Sequence, residues 1–389
     1  MVFLYLVLLV PQVFVFFYGF NTRLGIGAIN EFLQPLLIIF LILISWNQLA
    51  KSIHVKDVLF VLSVSLFYFF SPLIYPETQS MIEKNGVEFI FTVLPFFLMG
   101  ASMDLKEQEH TLVVIGRIGV LLEVFLIYMG LSGSYSFDYS EEDEYMGIAY
   151  LLLVPLIFVV WNLINRFNIE DLLLSLAGFF ALLGLGTRGP VASLVVFVAV
   201  SMLLSIKKLF FRVFIVIIGA LIIYFIEPIL MLTIPIIQSI GMSSRVIENM
   251  LLEEININGR DSIIEQVAFK IKNQDFIGSG LYYDRVLLGD DTYTHNVIYE
   301  LLLNFGVYIG SFLILILILG LFRSLYKLRG TGFFYLLLAF VCIGFIPLLF
   351  SDSYLEYQPF WMLLGVCACV YRTPRTCYLE KQSYNPIRK

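Results

Sequence analysis

Blocks of Leu, Ile, Val and Phe, each long enough to cross a bilayer, alternate with short polar turns along most of this chain. A membrane-crossing helix needs roughly 20 apolar residues. The pattern predicts twelve spans, near 2–20, 32–50, 58–75, 87–103, 111–130, 146–161, 171–186, 189–206, 209–227, 296–322, 331–350 and 354–371. The apolar runs are continuous. A transmembrane barrel would instead show segments of about ten residues with alternating polarity. One stretch breaks the pattern: from Pro228 to His295 the chain turns polar, holding Arg245, Arg260, Lys270, Lys272, Arg285 and a group of aspartates.

The predicted organisation is therefore helices one to nine over 1–227, a large loop with short helices over 228–295, helices ten to twelve over 296–371, and a basic tail over 372–389. Alternate turns carry the basic residues: Lys51 and Lys56, Lys106, Arg166, then Lys207, Lys208 and Arg212, then Arg323, Lys327 and Arg329, with Arg372 and Arg375 in the tail. An excess of Lys and Arg marks cytoplasmic turns. Both termini are expected inside, and the long loop outside. The first residues lack a basic segment before the apolar run and are expected to form a membrane helix rather than a removed signal peptide.

Composition sharpens the class. Hydrophobic residues make up 60% of the 389 residues and charged residues 14%, and the mean hydropathy is +0.91. Soluble domains carry about 25% charged residues, so the chain reads as an all-α polytopic membrane protein, a bundle of about twelve transmembrane helices with one large periplasmic or extracellular loop. The four cysteines, Cys342, Cys367, Cys369 and Cys377, lie outside that loop, so no structural disulfide is expected there. P-loop, Rossmann, HExxH and serine-elbow motifs are missing from the sequence. Gly289-Asp290-Asp291 resembles half of a metal-binding acidic pair, but no metal or other cofactor is expected. Two acidic outer segments, Asp138–Glu144 and the late turn with Asp352 and Glu356, read as solvated hairpins.

Candidate chemistry gathers around the loop. Ser262 and Glu265 stand at capping-box spacing, which predicts an amphipathic helix from Ser262 to about Lys272 with Ile263, Ile264, Val267, Ala268 and Ile271 on its apolar face. Arg260 would then sit just before a helix N-terminus, where anions are favoured. Arg188 lies in a tight outer turn, Gly184 to Pro190, where a lone cation is costly unless it is paired or faces water. Arg245 is a third candidate guanidinium. His295 closes the loop and can take a proton near neutral pH; Tyr299 is expected one helical turn on and on its face, and Glu300 is an acid inside the next span. Arg117, near a span end, reads as a snorkelling side chain, and Glu123, near mid-span, as a group that needs a polar partner.

Three segments carry a family resemblance. Gly186-Thr187-Arg188-Gly189-Pro190 is similar to a Ser/Thr-Arg-Gly motif, and Gly259-Arg260-Asp261 with Phe276-Ile277-Gly278-Ser279-Gly280 to Gly-Arg and Phe-Gly-x-Gly segments of a large periplasmic loop. Thr294-His295-Asn296, Glu300 and Asn304-Phe305-Gly306 are similar to the run that opens the helix after that loop. Together they resemble the bacterial O-antigen polymerases of the Wzy type and the O-antigen ligases. Thr187, where Ser is frequent, and Pro190 are departures.

The resemblance implies a metal-independent glycosyltransferase in the bacterial cytoplasmic (inner) membrane. Its donor would be a glycan on undecaprenyl diphosphate. Polymerisation of lipid-linked repeat units is the expected reaction, with transfer to lipid A–core (ligase) and flipping of lipid-linked oligosaccharide (transporter) as alternatives. Arg188, Arg260 and Arg245 would bind the diphosphate, and His295 or Glu300 would serve as base. Expected partners are the lipid-linked oligosaccharide and membrane lipid, with a chain-length regulator and a flippase as further candidates; no nucleic acid is expected.

Overall fold

The computed structural model describes residues 52–131, 142–185, 187–205, 260–274, 277–289 and 292–379. Among these, every regular element is helical. The expected spans 2–20, 32–50 and 209–227 lie outside the described residues. Four described helices are long and apolar enough to cross a membrane: Val55–Ile74, Gln108–Ile127, Met146–Asn165 and Val297–Leu328. Shorter apolar helices cover Gly189–Leu204 and Phe333–Leu349. The chain divides into two units: Met1–Leu37 with Glu109–Asn256, and Ile38–Gln108 with Ile257–Lys389.

In the first unit lie most of α4 (Leu105–Leu131), α5 (Glu142–Asn165), α6 (Ile169–Gly184) and α7 (Arg188–Ser205). The second of these is central. Leu152, Leu153, Leu156, Ile157, Phe158 and Val159 are all fully buried, so its apolar residues cover every face, the mark of an interior helix. Arg117 does more than snorkel. Its Nε donates to Asp171 Oδ1 at 2.7 Å and Nη2 to Oδ2 at 3.0 Å, and Asn162 Nδ2 donates to the same carboxylate at 2.7 Å. This forked pairing satisfies a carboxylate that is 0% exposed. Glu123 is also 0% exposed, and its carboxylate oxygens have no hydrogen-bond partner among the described residues.

The second unit holds α1 (Val55–Ile74), a 3₁₀ turn (Pro76–Thr78), α2 (Gln79–Glu88), a π-turn (Phe89–Val93) and α3 (Pro95–Ala101). Within the loop come α8 (Arg260–Asn273) and α9 (Tyr283–Leu288), and after it α10 (Val297–Leu328), α11 (Phe333–Gly344), α12 (Gln358–Arg372) and α13 (Arg375–Leu379). The span expected at 87–103 is thus interrupted. Pro95 has no N–H and cannot continue the α-ladder; the preceding turn widens, and Leu94 N bonds to Phe89 O at 2.9 Å.

Two close approaches shape this unit. A Cβ on Gly100 would lie 2.1 Å from Met362 O, and one on Gly365 2.1 Å from Phe97 O, so α3 and α12 touch backbone to backbone. Small residues permit such packing between membrane helices, where apolar side chains gain little by leaving lipid. The helix after the loop is not one straight span. Gly306 has φ 77° and ψ 165°, and a Cβ on Gly310 would fall 2.7 Å from Leu301 O. Residues nine apart on a straight helix lie about 13 Å apart along the axis, so the chain folds back at the break. The limb 307–328, about 33 Å long, matches a hydrocarbon core of about 30 Å; the limb 297–305 is a half-helix. Leu73 is 78% exposed, Phe69 63%, Phe322 70% and Tyr308 68%, an apolar outer surface on α1 and α10 that suits lipid rather than water.

Charges separate between the two ends of this unit. One end gathers Asp57, Arg329, Arg372 and Arg375: Arg372 Nη1 bonds to the Asp57 carboxylate and Nη2 to Ala101 O at 2.7 Å, and Arg375 bonds to Arg329 O at 3.0 Å. The other end gathers the 3₁₀ turn, residues 277–289 and 292–296 and the late turn at 349–356, joined by Tyr75 Oη to Ile277 O at 2.6 Å, Tyr293 Oη to Ser351 O at 2.6 Å and Asn296 Nδ2 to Leu349 O at 3.2 Å.

Candidate functional site

The polar loop enters this second end through α8. The helix is described from Arg260 on, so Ser262 lies inside it rather than capping it. Ile263, Val267 and Ile271, spaced by four, pack with Tyr283, Leu287, Tyr299 and Leu303. Repeats of four lie along one helix face, and the apolar pattern does dock as a face. Ala268 falls off that face and is exposed.

The following Gly-Ser-Gly segment fills the break in α10. An interrupted helix leaves carbonyls without their usual donors, costly at membrane depth unless other groups satisfy them. Here Gln274 Nε2 donates to Leu302 O at 2.7 Å, Ser279 N to Leu303 O at 3.0 Å and Gly280 N to Asn304 O at 3.0 Å. Gly278, at φ 80°, has no room for a side chain: a Cβ would sit 2.3 Å from Gly306 N. Two separate sequence segments, 278–280 and 303–306, thus form one contact.

Short helix α9 then buries Asp284 and Arg285, which are 0% and 4% exposed. The guanidinium reaches Asp284 Oδ1 at 3.0 Å, Glu356 Oε1 at 2.7 Å and Glu300 Oε1 at 3.9 Å. Its plane lies near the Tyr282 and Tyr293 rings, 4.9 and 5.3 Å from their centroids, within cation–π range. Burial pulls the Arg285 guanidinium down, but the carboxylates of Asp284, Glu356 and Glu300 outweigh it and hold it above its ordinary value. Glu300 also accepts from Ser353 Oγ and, at 3.3 Å, from Tyr354 N. Asp284 Oδ2 accepts from Thr294 N at 3.2 Å. Three carboxylates face one guanidinium, so the cluster has an excess of acidic groups. Nearby, burial pushes the half-buried Asp352 carboxyl up to about 8.

His295 stands at the edge of this cluster. It is half-buried, its φ is 52°, and its ring centroid is 4.0 Å from that of Tyr293. The helix begins only at Val297, capped by Asn296, whose side chain accepts from Ile298 N and Tyr299 N. His295 is therefore outside the helix and shares no helical face with Tyr299. Glu300 is 0% exposed and lies within the Arg285 network. Arg188 is the first residue of α7 and Arg260 the first of α8; Arg245, Asp290 and Asp291 lie outside the described residues. Arg188 belongs to the first unit and the other described candidates to the second.

Sequence reasoning missed Asp284, Arg285, Glu356 and Ser353. Arg285 and Glu356 are 71 positions apart, and no periodicity links them. The available signal was their shared side: both fall in segments expected outside, and an acidic late turn opposite a basic loop invites pairing. That turn is accordingly no simple solvated hairpin. Comparisons of the chain with protein-family models, with curated proteins and with solved structures gave no match.

Proposed function

We propose that this membrane protein is a polymerase of lipid-linked glycans, joining undecaprenyl-diphosphate-linked repeat units on the outer side of a bacterial cytoplasmic membrane. One observation carries the reading. Residues 277–280 and 303–306, which belong to the two loop-side segments on which the family resemblance rests, pack on each other, and half-exposed His295 lies in the second of those segments, between Tyr293 and Asn296, which bond to the late turn. A chance likeness of short motifs gives no reason for them to meet.

In this reaction His295 takes the proton of the acceptor hydroxyl. The hydroxyl oxygen forms the new glycosidic bond at the anomeric carbon of the donor. The bond from that carbon to the diphosphate breaks, and its electron pair leaves on the undecaprenyl diphosphate. Negative charge grows on the leaving group, and guanidinium groups stabilise such charge in the transition state; the reading gives that role to Arg188, Arg260 and Arg245. Arg285 does not, because its carboxylate partners already occupy it. Glu300 supports the half-helix from within the Arg285 network. The basic turns face the cytosol and both termini lie inside.

Deleting the gene tests the reading through the surface glycan. A polymerase leaves single-repeat glycan in place of long chains. Long lipid-linked chains with none on lipid A–core would make it a ligase, and a block before any lipid-linked unit reaches the outer face would make it a flippase. Arg188→Ala should abolish chain growth with the protein level in the membrane unchanged; wild-type chain length in that variant removes the diphosphate assignment.

A further inference from the structure

Among the described residues, two other than glycine hold φ in the left-handed region, Tyr282 at 59° and His295 at 52°. Each such residue costs about 1–2 kcal/mol and persists only where its surroundings impose it. Both flank the same buried group, Arg285. We infer that Asp284, Arg285 and Tyr293 are positioning residues that hold His295 in its left-handed conformation and fix its imidazole for proton transfer. The inference rests on the reading of His295 as the base in glycan transfer.

Three contacts make the device. Asp284 Oδ2 accepts from Thr294 N at 3.2 Å, which anchors the peptide directly before His295. The Arg285 guanidinium lies 5.3 Å from the centroid of the Tyr293 ring, and that ring packs at 4.0 Å on the imidazole. Tyr293 Oη donates to Ser351 O at 2.6 Å, so the ring is held at its far end by the late turn. Asn296 closes the other side by capping α10. Residues 293–296 are thus tied at successive positions to α9, the late turn and the half-helix. Asp284 and Arg285 are almost wholly buried and act through the residues between them and the histidine.

The test uses the full-length protein in proteoliposomes, with lipid-linked repeat units extracted from cells lacking the gene as substrate. Asp284→Ala removes the acceptor for Thr294 N and leaves Glu300 and Glu356 to balance Arg285. It is expected to lower kcat about 10- to 100-fold with KM unchanged, the scale of a misplaced catalytic group. Asp284→Asn keeps an acceptor oxygen and should restore most of the rate. Tyr293→Leu should lower kcat in the same way. A direct probe accompanies the kinetics: the rate at which diethylpyrocarbonate modifies His295, read by peptide mass spectrometry. It should change at least fivefold in Asp284→Ala and Tyr293→Leu, while His54 and His110 react as in wild type.

Unchanged His295 reactivity, or equal changes at all three histidines, overturns the positioning role, as does a KM effect without loss of kcat. His295→Ala separates the two claims. Full turnover in that variant defeats the reading of His295 as base, whereas an inactive His295→Ala beside a fully active Asp284→Ala defeats only the positioning role.

Discussion

The second unit carries a carboxylate-bound arginine at each end, Arg285 buried and Arg372 partly exposed, and their surroundings differ. At the basic end Arg372 meets one carboxylate, Asp57, and one backbone carbonyl, that of Ala101. The charges cancel, and the group is a staple that ties the end of α12 to the start of α1. At the other end Arg285 meets Asp284, Glu300 and Glu356. Its cluster is over-supplied with carboxylates and bordered by two strained residues. A balanced pair needs only to hold. An unbalanced one surrounded by strain is costly to maintain, and such costs concentrate at sites where function requires a fixed geometry.

The contrast can be broken from its strongest element downward. Arg285→Met leaves the buried carboxyl groups of Asp284 and Glu300, and the partly exposed one of Glu356, without their cation and should destabilise the protein by about 3–5 kcal/mol, as loss of one partner of a buried ion pair does; thermal unfolding in detergent checks it, and a melting temperature near wild type would reduce Arg285 to a surface-like pair. Gly278→Ala forces a side chain against Gly306 at positive φ and should cost about 2–4 kcal/mol. Gly289→Ala is its control: φ is also positive, at 108°, but nothing lies within 4 Å of the added carbon, so about 1 kcal/mol is expected. Equal losses in the two variants would mean that backbone conformation alone, and not the docking of the loop on α10, sets the cost.

Arg372→Met should cost less than Arg285→Met, about 1–3 kcal/mol, because a single carboxylate is orphaned and the site is partly open to water: the Arg372 side chain is 23% exposed. A loss as large as that of Arg285→Met would erase the distinction between the ends.

The smallest effect is in pH dependence. Burial raises the Asp352 carboxyl from 3.8 to about 8, so the folded state holds this proton more tightly than the unfolded chain. Its contribution to stability is complete below about pH 4 and declines as pH rises towards about 8, because there the folded state binds more protons than the unfolded one. Asp352→Asn should flatten this decline in a series of melts across that window. An unaltered slope would place the titration elsewhere in the acidic cluster.

Much of the helical content was legible in sequence, since a span is written as a run of apolar residues and needs no distant partner. The helix after Gly259 was legible for the same reason: Ile263, Val267 and Ile271 repeat at the helical period and pack as one face. Its start was misplaced because the Ser262–Glu265 spacing fits a cap but does not require one. The interruption of the span at 87–103 and the break at Gly306 escaped prediction because hydropathy counts apolar residues and is blind to backbone angles. His295 was legible as a lone histidine at a membrane boundary, while the groups that hold it were not.

The sequence by itself determined an apolar helical chain, the placement of a polar loop among its helices, and the segregation of basic turns from that loop, because these follow from local composition and the energetics of lipid and water. Tertiary structure alone decided that Arg285 is already occupied by carboxylates, that Glu300 is enclosed against Ser353 and Tyr354, and that the Gly278 segment completes a broken helix. Those facts depend on which distant residues meet, and a one-dimensional pattern carries no record of a contact across 71 positions.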